Sequence, residues 1–356
     1  MSLFRLPSEN LDQIFDLVGS SFFRQDLSRL TVSKQWLEFA HRACFKYISL
    51  TEENIQLLPS SEGAIYNSAL QPSYLKSLDL SLKLRGYQYW LSQQAPQPAL
   101  ESEHLDGYVP NNLAPELASI RIWAEAMNHG LTQLATMIRR TGALQTLRIR
   151  AWCSPDSGDY PRTDDALPSP PIRALLSLDS LRVLVLDLDA QFLCDPWQRR
   201  SEVHICPTIG TLLRTLNTLH VRMPHICLDA LKPDGHDKLR LRNLAINLSM
   251  SRELGGALQV HYAKRCDDRN STIRKLLPDM RQQAKVVASR MSAPKTVRIL
   301  THTLPIFRKH SLDVLTDRTM LMHSDMAWDE DGVTIDEDLQ SNHGSSVNNL
   351  TSYCHE

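Results

Sequence analysis

Leu144-Gln145-Thr146-Leu147-Arg148-Ile149 (LQTLRI) is the stretch on which the fold turns. Leu147 and Ile149 stand two residues apart, which puts them on one face of an extended strand and turns Arg148 to the other. The pattern L-x-x-L-x-L returns as Leu75, Leu78, Leu80; as Leu181, Leu184, Leu186; as Leu216, Leu219, Val221; and as Leu241, Leu244, Ile246. A weaker copy is Leu117, Ile120, Ile122, and a degenerate one ends in Val297 and Ile299. The starts at 75, 117, 144, 181, 216 and 241 are separated by 42, 27, 37, 35 and 25 residues. Helix candidates at 131–140, 207–216 and 272–291, the last interrupted near Pro278, lie between copies. Strand, helix, strand in succession implies parallel strands with helices on one side, an α/β class.

The spacing resembles that of irregular leucine-rich repeats, whose usual period is about 20–29 residues, with insertions in the longer units. The resemblance implies an irregular repeat-like arc, parallel strands inside and helices outside. Generic α/β packing is the alternative and changes the fold name more than the function. Strand parity then sorts the side chains. Leu78, Ile120, Leu147, Leu184, Leu219 and Leu244 point into the core, and three rows point out. The first row is Asp79, Arg121, Arg148, Val185, His220 and Ala245; the second is Ser81, Trp123, Arg150, Asp187, Arg222 and Asn247. The third is Lys83, Glu125, Trp152, Asp189, Pro224 and Ser249. Arg121, Trp123, Arg148, Arg150, Trp152, Asp187 and Arg222 form the candidate binding set, since Trp and Arg are enriched among residues that dominate interface energy. Two readings stay open for them: Arg150, Asp187 and Arg222 pairing with one another across strands, and the tryptophans lidding a loop.

The N-terminal 50 residues read differently. Pro7, Ser8 and Glu9 suit a helix first turn, with Leu11, Ile14, Phe15 and Val18 recurring at helical spacing. Asp26 is placed to cap a short second helix carrying Leu27 and Leu30. Ser33 is placed to cap a third, with Trp36, Leu37, Ala40 and Cys44 on its apolar side. Three short helices bury too little to stand alone, so a partner surface is expected to complete them.

LPSENLDQIFDLV (6–18) followed by DLSRLTVSKQWLEFA (26–40) resembles an F-box. The likeness rests on Leu-Pro, an acid, Ile-Phe, Asp-Leu and a Ser-Lys-x-Trp ending. The matched positions are Leu6, Pro7, Leu11, Ile14, Phe15, Leu27, Leu30, Val32 and Trp36, about 45 of 356 residues. The linker 19–25, which carries Phe22 and Phe23, is longer than the pattern. A coincidental amphipathic bundle is the alternative. With the irregular repeats and the VRILTHTLP…LDVLT ending (297–316), the chain resembles fungal F-box proteins with divergent leucine-rich repeats. The resemblance implies a substrate receptor of an SCF-type ubiquitin ligase, docking a Skp-type adaptor and through it a cullin. It implies no chemistry in the chain itself, since proximity between substrate and charged ubiquitin carrier supplies the effect. An F-box scaffold outside a ligase and an enzyme with a novel site are the rival classes.

The implied layout is an F-box at 1–50, a linker at 51–70, a repeat domain at 71–310, a C-terminal cap at 311–328 and a disordered acidic tail at 329–356. Stretches 86–113 and 153–171, rich in Pro, Ser, Asp and Gln, read as loops. The 39 Lys+Arg against 40 Asp+Glu give a net charge of −1, so no global field invites nucleic acid or an anionic membrane. The basic run Lys264, Arg265, Arg269, Arg274, Lys275 is offset by Asp267 and Asp268 and reads as a solvated helix face. No apolar run nears the ~20 residues of a membrane helix, and the N-terminus lacks a signal-peptide core, so a cytoplasmic or nuclear location is expected.

Seven dispersed cysteines without C-x-x-C read as reduced thiols. His-Ile-Cys occurs at 204–206 and at 225–227, so His204, Cys206, His225 and Cys227 make a four-ligand zinc set conceivable. Pro207, Pro224 and the intervening helix and strand weigh against it, and the expectation is isolated thiols and surface histidines with no metal. With no phosphate loop, no G-x-S-x-G and no placed nucleophile–base pair, no cofactor and no catalytic residue are expected.

Overall fold

Alternation of leucine with polar residues produces the strands where the repeats predict them. The computed structural model describes residues 3–59, 74–84, 114–153, 169–188, 204–250, 252–254, 257–259, 262–266, 272–303, 308–323, 326–327, 330 and 332–334. The strands are β1 (Tyr47–Thr51), β2 (Ser77–Leu84), β3 (Thr146–Cys153), β4 (Val183–Leu188), β5 (Thr218–Arg222), β6 (Asn243–Asn247), β7 (Arg252–Leu254), β8 (Ala257–Gln259), β9 (Thr296–Thr303), β10 (Arg308–Asp313), β11 (Arg318–Met322) and β12 (Val333–Thr334). Ten of them form one sheet in the order β1-β2-β3-β4-β5-β6-β9-β10-β11-β12, while β7 and β8 make a separate hairpin. The pairings from β1 through β9 are parallel and the last three antiparallel. Register follows the repeats: Leu78, Leu147, Leu184, Leu219, Leu244 and Val297 lie side by side across six strands.

Among the described residues there are eight α-helices. Four beside the sheet's parallel part are α4 (Glu52–Leu57), α5 (Ala114–Thr141), α6 (Ser169–Leu176) and α7 (Cys206–Leu212), and α8 (Ile273–Arg290) precedes β9. The N-terminal three are α1 (Ser8–Val18), α2 (Ser20–Gln25) and α3 (Lys34–Phe45). Because each strand lies beside its predecessor, right-handed crossovers place the helices on one face of the sheet. One core joins them: Leu78, Leu80, Leu147, Ile149, Leu184, Leu186, Leu219 and Val221 from the strands meet Met127, Leu131, Leu134 and Ile138 of α5, Ile172 of α6, Ile209 of α7 and Leu276, Met280 and Val287 of α8. The other face carries the outward rows, open over β2 to β5 and covered near β6, β9 and β11 by Ala245, Leu300 and Met322, with Met326 against them.

Several expectations need correction. The copy Leu117, Ile120, Ile122 is not a strand but part of α5. The expected linker is folded at its start: Thr51 and Asn54 form a capping box on α4, and Ile55 and Leu58 are fully buried. Residues 60–73 of it lie outside the described residues. α8 runs unbroken through Pro278, which forgoes one backbone hydrogen bond and faces solvent. Within the expected tail, Val333–Thr334 pairs with β11, and Arg298 donates to the Glu330 carbonyl. Residues 335–356, all of 86–113 and most of 153–171 lie outside the described residues. Lys264 and Arg265 sit before α8 on an extended segment, not on a helix face. No described helix is long and apolar enough to cross a membrane.

Candidate functional site

The N-terminal helices have a core of their own: Leu11, Phe15, Phe23, Leu30, Phe39, Ala40, Ala43 and Cys44. The caps expected from sequence form, with Asp26 Oδ1 accepting from Ser28 N at 3.0 Å and Ser33 Oγ from Trp36 N at 3.1 Å. The long linker is the helix α2, and it earns its length by inserting Phe23, wholly buried, beside Phe15 at 5.9 Å. Trp36 lies between Phe4, Phe15 and Phe23 and donates its indole N–H to the Arg29 carbonyl at 2.6 Å.

The matched F-box positions therefore divide. Leu6, Pro7, Leu27 and Val32 are exposed, and Ile14 and Trp36 half-buried. Leu11, Phe15 and Leu30, expected on the docking surface, are instead inside the unit's own core, because three short helices must first bury something against each other. Leu17, Phe22 and Leu37, which the resemblance did not single out, are exposed, Leu17 at 88%.

On the open sheet face, register places Arg148 between Asp79 and Val185, and Arg150 between Ser81 and Asp187, with Trp152 beside Lys83. Arg148, Arg150 and Trp152 are all exposed on β3. Asp187 does not pair with Arg150; it accepts from Arg222 Nε at 2.5 Å, both side chains largely buried. Among the described residues, the side chains of Arg148 and Arg150 make no hydrogen bond or ion pair. Arg121 and Trp123 leave this face altogether: both are on α5, and Trp123 is buried in the main core. Asp189 lies outside the described residues.

A third constellation corrects the expectation of isolated thiols. His204, Cys206, Cys227 and Cys266 bring one ligand atom each to within 4.8 Å of one another. His204 and Cys206 enter at the start of α7, with Ile205 as its N-cap residue. Cys227 follows β5. Gly210 lets α7 lie on the turn Leu228–Leu231, since a Cβ there would sit 2.3 Å from the Asp229 carbonyl oxygen. Cys266 arrives through a parallel bridge of His225 to Lys264, held by Ile226 N to Lys264 O (2.9 Å) and Lys264 N to Pro224 O (2.7 Å). Counting two residues on along both segments puts Cys227 beside Cys266, so His225 serves the bridge and not the cluster.

Cys206 Sγ and Cys266 Sγ are 3.6 Å apart, and Cys227 Sγ is 3.8 Å from His204 Nδ1. Asp229 Oδ2 stands 3.9 Å from His204 Nε2 and 3.6 Å from Cys227 Sγ. Hydrogen bonds from the Cys206 and Cys266 thiols, then the Asp229 backbone and the nearby His204, hold the Cys227 thiol far below its usual range. The same thiol contacts, with burial, push Cys206 well above it. No protein-family model matches the chain, and no curated protein matches it.

Proposed function

We propose that this chain is a substrate-recognition subunit of an SCF-type ubiquitin ligase, docking a Skp-type adaptor through its N-terminal helices and a protein substrate through the open sheet face. One observation supports it above the rest. In a unit of some 45 residues that has its own core, Leu6, Leu17, Leu27, Val32 and Leu37 stand 40–88% exposed. The contacts of Trp36 with Phe4 and with the Arg29 carbonyl bring the segment bearing Leu6 beside the turn bearing Leu27 and Val32. An apolar group of that size on so small a unit fits a partner surface.

The test is co-purification with a Skp-type adaptor. Leu6→Ser, Leu27→Ser and Val32→Ser together remove exposed anchors without touching the unit's core, so helicity stays and adaptor binding is lost; anchors of this kind cost about 2 kcal/mol each. Wild-type affinity in the triple variant sinks the reading. Ubiquitin transfer in a reconstituted ligase separates a ligase subunit from a scaffold.

A further inference from the structure

We propose that His204, Cys206, Cys227 and Cys266 bind one Zn2+ ion that ties together the connections leaving β4, β5 and β6. The donor set is the first argument. Three thiols and one imidazole are the ligands of structural zinc, and four protein donors leave no open position for a reacting water. The distances are the second. Zinc bonds of about 2.3 Å to sulfur and 2.0–2.1 Å to nitrogen, arranged tetrahedrally, set edges of about 3.8 Å between sulfurs and about 3.6 Å between sulfur and nitrogen. The observed 3.6 Å between Cys206 Sγ and Cys266 Sγ and 3.8 Å between Cys227 Sγ and His204 Nδ1 come within about 0.2 Å of these edges, and all four ligand atoms lie within 4.8 Å of one another, a span that closing on an ion would shorten. The Cys206 and Cys266 sulfurs are not joined, since a disulfide would bring them to ~2.05 Å.

Burial and support are the third argument. Cys206 and Cys227 are buried and His204 and Cys266 half-buried, so the ion would be shielded but reachable. Cys227 Sγ stands 3.8 and 3.9 Å from the two imidazole nitrogens, and Asp229 Oδ2 stands 3.9 Å from Nε2, so a carboxylate of the kind that commonly orients a ligating histidine lies beside the ring. Topology gives the consequence. His204 lies on the β4-to-α7 connection with Cys206 as the first residue of α7, Cys227 lies on the β5-to-β6 connection and Cys266 on the β6-to-α8 connection. One ion thus replaces apolar packing where three consecutive connections meet. Binding is an exchange of protons for metal: the protons still held by the thiols go to solvent, three Zn–S bonds and one Zn–N bond form, and no oxidant is needed.

The test uses the full chain, purified under reducing conditions and passed over chelating resin. Metal analysis is expected to give about one zinc per chain. Replacing zinc with Co2+ in the wild type is expected to give the intense visible bands of a tetrahedral thiolate site and a thiolate-to-cobalt charge-transfer band. Cys266→Ser and His204→Ala are each expected to weaken Zn2+ binding on the order of 100-fold. His225→Ala, which alters the other His-Ile-Cys copy, leaves stoichiometry and spectrum unchanged. Failure to hold zinc or cobalt, a six-coordinate cobalt spectrum in the wild type, equal loss in His225→Ala, or a Cys206–Cys266 disulfide in the freshly purified reduced chain would overturn the site.

Discussion

Arg148, Arg150, Asp187 and Arg222 show how far a single row of side chains can be read. The strand register was legible, because period-two leucines leave no other phase, but the choice of partner for Asp187 was not: two arginines flank it in the same row. The structure gives it to Arg222. Two outcomes follow. Asp187→Ala removes a charged acceptor from a largely buried guanidinium and is expected to cost about 1–3 kcal/mol in urea denaturation. Arg148→Gln with Arg150→Gln removes both charges without setting an acid opposite Asp79 or Asp187, so it leaves stability within about 0.5 kcal/mol and weakens capture of substrate, read by pull-down and by melt. Unchanged capture would move the binding surface off β3. His302 offers a pH test at the same scale. It is 4% exposed, its Nδ1 is 2.8 Å from Ser249 Oγ, and the Tyr262 ring stacks on it at 4.0 Å. Burial, aided by Lys309, holds its pKa down to about 4. The unfolded chain takes up this proton near pH 6.5 and the folded chain does not until about 4, so stability present above pH 6.5 is lost as pH falls toward 4. Urea denaturation at pH 7 and pH 5 should show that loss in the wild type and a shallower one in His302→Gln; parallel slopes would remove His302 as the cause.

The elements divide by whether their signal is local. Strands β2 to β6 were readable from leucine spacing, and the caps Asp26 and Ser33 from residue type. α5 was misread at its start because Leu117, Ile120 and Ile122 imitate a strand copy, while Trp123, Met127, Leu131, Leu134 and Ile138, spaced four, four, three and four, carried the helical signal. The zinc-type cluster was half legible: the paired His-Ile-Cys copies were visible, but Cys266 enters only through the bridge at Lys264, which no spacing encodes. Gly130, inside α5, was invisible for the same reason. A Cβ there would stand 2.2 Å from the Ile55 carbonyl oxygen, so α4 and α5 touch only because this residue is glycine. Gly142 ends α5 with φ +57° and has open space around it. Gly130→Ala is accordingly expected to destabilise by about 2–3 kcal/mol or more, by backbone collision. Gly142→Ala costs about 1 kcal/mol, by conformational strain alone. Equal losses in denaturant titrations of the two variants would show that the α4–α5 approach is not tight.

At the scale of the whole molecule the question is what joins the N-terminal helices to the sheet. Their core is separate from the main one, and polar and edge-on contacts cross the boundary. Lys46 pairs with Asp16, Arg24 donates to the Tyr47 carbonyl at 2.6 Å, and the His41 and Tyr74 rings meet at 6.2 Å. Contacts of this kind contribute at most about 1 kcal/mol each. The sheet, by contrast, is one core from Leu50 to Val314, so it does not depend on the helices before it. A unit of about 45 residues, half-supplied with apolar surface and ringed by exposed leucines, sits at the margin of independent folding. A chain beginning at residue 46 is therefore expected to melt within a few degrees of the full protein. The fragment 1–45 is expected to show partial helix and no cooperative melt by circular dichroism, and to gain helicity when a Skp-type adaptor is added, because a partner that binds only the folded form adds its binding free energy to folding. A sharp, adaptor-independent melt of the fragment would mean that the exposed leucines are not needed to complete it, and would leave the docking proposal to rest on the serine triple variant alone.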